Sequence, residues 1–346
     1  MLIKRSVTGL TGMTPSSYPR VVLGPRLLLL CASALVNAAG PPPLKLETKI
    51  PLGAVQGRID HMAYDANRRY LYVAELGNAS VGVVDLTQLR LVRRIEGLKE
   101  PQGIGYAPST DTLYVANAGD GSVEMFDGAD FRPLGTIALG GDADNVRVDD
   151  ASQRLYVGYG SGALAVIDIA SRVKIADIPL KAHPEGFQLD PSGSHIFVNV
   201  PDAHEIALVD RASGRQVASW PTDPLRANFP MATDATRQRI LVGFRHPAAV
   251  AAFNARDGRS LVSVKTCEDA DDVLFDAKRE RIYVSCGDGF VDVLGAQGQG
   301  LVRLDRIGTA AGARTSFFAS DIDRLLVGVR ATGSTPAAIW VFQPVP

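Results

Sequence analysis

Cysteine is scarce in this 346-residue chain. There are three, and no Cys-x-x-Cys-His occurs, which excludes covalently attached c-type haem. The five histidines form no cluster that suits copper. A basic excess is missing too: 36 Lys and Arg face 37 Asp and Glu, and no basic run carries interleaved aromatics, which argues against a nucleic-acid binder. There is no Gly-x-Ser-x-Gly elbow, no phosphate-binding Gly-Lys-Ser or Gly-Lys-Thr loop, and no Gly-x-Gly-x-x-Gly opening a helix. The uncharged run Leu27 to Val36 is too short to span a bilayer. At 46% hydrophobic and 21% charged residues, the chain has the composition of a folded protein with a full core.

That short apolar run has another meaning. Lys4, Arg5, Arg20 and Arg26 precede it and small residues around Ala38 follow it, the pattern of a signal peptide over residues 1–38. Its removal leaves 32 basic against 37 acidic residues, a formal charge of −5, and a periplasmic or secreted protein with no membrane span. The cysteines that remain are Cys267 and Cys286, an even pair for a compartment in which disulfides persist.

Beyond residue 44 the chain repeats itself. Leu71-Tyr72-Val73 recurs as Leu113-Tyr114-Val115, Leu155-Tyr156-Val157, Ile196-Phe197-Val198, Ile240-Leu241-Val242, Ile282-Tyr283-Val284 and Leu325-Leu326-Val327, at intervals of 41 to 44 residues. Within one copy, Met62–Tyr64, Tyr70–Ala74, Val81–Val84 and Leu91–Ile95 are short β-rich runs separated by turn residues. Four strands at this period predict an all-β fold, a seven-bladed β-propeller of four-stranded antiparallel blades spanning residues 39–346. After the seventh triplet there is room for a third strand, Ala338–Phe342, but none for a fourth. Leu44 to Leu52 reads like the fourth-strand segment Leu89 to Leu98, so the amino-terminal strand is expected to close the last blade.

Tyr72-Val73-Ala74-Glu75, Tyr114-Val115-Ala116-Asn117, Tyr156-Val157-Gly158 and Tyr283-Val284-Ser285 carry a resemblance to the YVTN-type β-propeller family, the YncE-like group of exported bacterial proteins. The resemblance covers about residues 44 to 346. It implies the propeller and export, and leaves activity open, because propellers host binding modules, lactonases and lyases alike.

Counting back from each triplet places Asp60-His61, Gln102-Gly103, Asp144-Asn145, Glu185-Gly186, Phe229-Pro230, Asp271-Asp272 and Arg314-Thr315 at equivalent entries to the innermost strands, beside the axis at one mouth of the channel. His183 and Asn228 lie just upstream, and the hairpins add Glu75, Asn117, Tyr159, Arg245 and Arg330. The expected binding set is Asp60, His61, Asp144, Asn145, His183, Glu185, Asn228, Arg245, Asp271, Asp272 and Arg314. Asp65, Asp149, Asp190, Asp234 and Asp276 recur at one hairpin position and read as turn formers.

Two chemistries fit such a mouth. Asp60, Asp144, Asn145 and Asp272 offer hard oxygens for a divalent metal ion, the one cofactor left open, with His61 as base of a metal-assisted hydrolase or lyase. Otherwise the arginines and carboxylates bind a small molecule or a protein without catalysis, or neutralise one another in a structural network. The chain is expected to be a monomer. Cys267 and Cys286 fall on the mouth side of one blade, as a disulfide, two buried thiols or soft metal ligands.

Overall fold

The structure is a computed structural model that describes residues 40–333 and 335–346, so the signal peptide expected over residues 1–38 lies outside the described residues. From Pro41 to Pro346 the chain forms seven four-stranded antiparallel sheets, almost without helix. Blade 1 is Met62–Asp65, Tyr70–Glu75, Ser80–Asp85 and Arg90–Glu96, each strand pairing with the next. Blades 2 to 6 repeat the meander. Blade 7 takes Ser316–Ala319, Arg324–Val329 and Ala337–Pro344 from the carboxyl end and Leu44–Gly53 from the amino end, in the order 44–53, 337–344, 324–329, 316–319. No helix among the described residues is long and apolar enough to cross a membrane.

The repeated triplet is the second strand of each blade, and its three residues have a physical division of labour. Successive strand residues point to opposite faces. Leu71 and Val73 therefore pack against blade 7, with Leu326 and Ile339, whereas Tyr72 packs against blade 2, with Leu113 and Val115. Repeated around the ring, this gives seven apolar clusters, one in each seam between blades. Both faces of every sheet are buried, which is why the triplet is apolar throughout rather than alternating.

The recurring aspartates are turn formers. Asp65 accepts from the backbone N–H of Asn67 and Arg68, Asp234 from Arg237 and Asp276 from Lys278 and Arg279, and the residue closing each turn, such as Arg69, Gln238 or Glu280, is left-handed. These turns also link blades, which the repeat by itself does not reveal: Arg68 pairs with Asp111 at 2.6 Å, Arg237 with Glu280 at 2.7 Å and Arg279 with Asp323 at 2.7 Å.

Candidate functional site

At the opposite end of the channel, the chain enters each innermost strand through a sharp bend. Asp142 and Asp269 occupy the left-handed region there, with φ of 25° and 57°. Gly103 permits blade 3 to come close, since a Cβ on it would stand 1.9 Å from the Asp144 carbonyl oxygen. The result is a cavity of about 170 Å³ lined by residues of all seven blades, among them His61, Gln102, Asp144, Glu185, Phe229 and Asp271. Arg58, Arg245, Arg314, His183 and Asp142 complete its wall.

The cavity has two unlike walls. On one side the arginines are consumed by carboxylates. Arg58 Nη2 lies 2.7 Å from Asp60 Oδ2, Arg314 Nε lies 2.9 Å from Asp271 Oδ2, and Arg314 Nη1 donates to Asp269 at 3.0 Å. Arg245 donates to Asp271 and to the Ala270 carbonyl and stacks 3.9 Å above the Phe229 ring. Of the readings open for these arginines, the structural network describes Arg58, Arg245 and Arg314. Asp269, just upstream of the blade 6 entry, joins two of them.

On the other wall Asp60, whose Oδ2 faces Arg58, turns its second oxygen toward His61. His61 Nε2 stands between Asp60 Oδ1 at 3.8 Å and Asp144 Oδ1 at 3.9 Å, and both oxygens are buried without a hydrogen-bond donor. His183 holds the Gly160 carbonyl through Nδ1 at 2.6 Å, which leaves its other nitrogen free. Burial pushes the Asp144 and Glu185 carboxyls up to about 7 and raises Asp60 against the pull of His61 and Arg58. Asp272 is raised as well, again by burial, although the Ser316 N–H donates to it at 2.7 Å.

These shifts predict a pH profile for stability. A carboxyl raised in the folded state binds its proton more tightly there than in the unfolded chain, so its contribution is complete below pH ~4 and is lost as pH rises through about 7. Asp323, Asp111 and Asp234 are held low by partners including Arg279, Arg68 and Arg239, and their contribution is lost on the acid side of pH ~4. The melting temperature should therefore peak at mildly acidic pH and decline toward pH 8. Asp144→Asn should flatten that decline by on the order of 2 kcal/mol; a variant with the wild-type slope in a pH series of thermal melts would refute the assignment.

Not every expected residue reaches the cavity. Asn145 and Asp272 lie deeper, in a narrower waist of the channel. Asn228 is fully buried and donates to Asn199 Oδ1 at 3.1 Å and to the Glu205 carbonyl at 3.0 Å, bracing blade 4 against blade 5 rather than facing a ligand. Glu75 and Asn117 are also internal, Glu75 pairing with Arg94 at 2.8 Å and Asn117 donating to Ser122. Of the four residues expected as metal ligands, Asp60, Asp144, Asn145 and Asp272, the three carboxylates do not, among the described residues, bring their oxygens within 4.8 Å of one another. The group that does is Cys267, Cys286 and Asp288, whose cysteines are joined in a disulfide.

No protein-family model matches the chain, and no curated protein matches it. Among solved structures it is similar to Kuenenia stuttgartiensis hydrazine synthase, at 16% identity with a TM-score of 0.70, covering 80% of this chain and 94% of that one. At that identity the likeness speaks to architecture, and together with the seven sheets it establishes what this chain is: an all-β, seven-bladed β-propeller.

Proposed function

We propose that this propeller is an exported, non-catalytic binding module that takes a small polar cation, free or at the tip of a protein partner, at the acidic wall of its channel mouth. One observation carries the reading: the arginines are neutralised by Asp60, Asp269 and Asp271, and Asp144 and Glu185 are left without a guanidinium partner beside His61 and His183. The cavity wall includes no Ser, Thr, Cys, Lys or Tyr among the described residues, so no hydroxyl, thiol or amine nucleophile stands beside His61. Export and YVTN-type kinship rest on the leader pattern and the triplet motifs.

The test is a titration with putrescine and its neutral analogue 1,4-butanediol. Putrescine binding should tighten about tenfold from pH 6 to pH 8 as Asp144 and Glu185 lose their protons, and butanediol should show no such gain. Equal binding at both pH values, or of both compounds, overturns the reading. The orphaned oxygens flanking His61 favour the alternative, a metal-assisted hydrolase or lyase. Elemental analysis separates the two: a stoichiometric divalent ion, with lactone turnover lost in His61→Ala, would replace the binding module by an enzyme.

A further inference from the structure

Beyond the waist the channel widens again toward the other face, into a cavity of about 430 Å³. Its character is unlike that of the mouth. Tyr64, Ile104, Tyr106, Leu274 and Phe317 form an apolar wall, and Arg147, Gln188 and Asp272 stand where the cavity meets the waist. The tyrosine rings are anchored from behind, Tyr64 donating to Asp321 at 3.1 Å and Tyr106 to Asp111 at 2.7 Å. A concave apolar cavity of this size with a few convergent polar groups is the ordinary form of a small-molecule site.

Arg147 is the informative residue. Eight positions before each triplet the seven blades place Ala63, Gly105, Arg147, Gln188, Ala232, Leu274 and Phe317, so one blade alone brings a charge to this register. Its guanidinium donates to the carbonyl of Val146 at 2.8 Å, lies 5.3 Å from the centre of the Phe187 ring, and has no carboxylate within ion-pair distance among the described residues. Asp272, the carboxyl that shares the waist with it, stands beyond ion-pair distance, and burial raises its pKa. An arginine retains its charge even when desolvated, and a desolvated cation without a counter-ion is costly unless something supplies one.

We propose that this vestibule is a second binding site, for a small monocarboxylate with an aromatic or aliphatic body. The carboxylate pairs with the fork of Arg147 beside the amide of Gln188, which is fixed in place by donating to the Met231 carbonyl at 2.7 Å. The body lies among Tyr64, Tyr106 and Phe317. A phosphate ester fits less well, since Arg147 is the one guanidinium in the lining and a dianion calls for more than one. The site lies beyond the waist from the mouth, with His61 the one residue that lines both cavities, and the proposal stands whether or not the mouth binds cations.

Calorimetric titration of the purified chain with phenylacetate and with neutral phenylacetamide tests it. Phenylacetate should bind at least about tenfold more tightly than the amide, and Arg147→Gln should bring the acid down to the level of the amide. Arg132→Gln, an exposed charge change on blade 2, should leave the difference intact. Indistinguishable acid and amide in the wild type, or no binding of either at millimolar concentration, overturns the proposal without any variant. So does an unchanged phenylacetate affinity in a folded Arg147→Gln protein.

Discussion

Deleting residues 39–52 should cost on the order of 5 kcal/mol and lower the melting temperature by about 10 °C or more. The removed strand pairs along its length with Ala337–Pro344, from Leu44 opposite Pro344 to Gly53 opposite Ala337. It buries Leu44, Ile50 and Leu52, each worth about 1.5–3 kcal/mol against water. Lys49 also lies 3.7 Å over the Trp340 ring, and Glu47 is bonded to Arg324. Loss of this strand does more than empty three core positions. It converts Ala337–Pro344 into an open edge with unpaired backbone groups, so the truncated protein should also self-associate as its concentration rises. Circular-dichroism melts and light scattering read both effects, and a truncated protein that melts with the wild type would show that the ring does not depend on this closure.

The second large effect is expected at the disulfide. Cys267, in the connection entering blade 6, is joined to Cys286, at the end of that blade's second strand, with Cα atoms 5.8 Å apart and a sequence separation of 19. Closing a loop of this length stabilises by about 3 kcal/mol, chiefly by restricting the unfolded chain. The bridge also holds the segment from which Asp269 and Asp271 reach Arg245 and Arg314, and the Cys267 N–H donates to the buried Asp292 carboxylate at 2.8 Å. Cys267→Ala/Cys286→Ala should therefore melt about 5 °C lower, and reductant should bring the wild type to the same point while leaving the variant unmoved. Titration of unfolded, unreduced protein should detect neither thiol; two reactive thiols would remove the bridge from the account.

The pH maximum, by contrast, tests burial at the mouth rather than closure of the ring. Its value is diagnostic, since the acid-side and base-side losses come from different ends of the channel: the low carboxyls sit in the blade-linking turns, the raised ones at the mouth.

The periodic features of this protein are legible in its amino-acid order. Seven triplets, the turn aspartates and the missing fourth strand each mark a position that must meet the same packing demand in every blade, so the demand is repeated in the sequence and can be counted. The strand Leu44–Gly53 is an example: its likeness to Leu89–Leu98 suffices to assign it to the far end of the chain. The register likewise brings Asp60, Asp144, Glu185, Asp271 and Arg314 to one mouth. It does not say which charges meet, because partners there come from different blades and depend on side-chain reach across the axis. Only the folded ring decides that Arg314 binds Asp269 and Asp271 while no guanidinium reaches Asp144, that Asn228 turns inward to brace two blades, and that Arg147 opens on a vestibule with no carboxylate within ion-pair distance among the described residues. Backbone periodicity is set by local pairing and seam packing, which a linear repeat encodes; electrostatic partnership around an axis is set by distances of a few ångströms between residues of different blades, such as Arg314 and Asp271, and those distances exist only once the ring has closed.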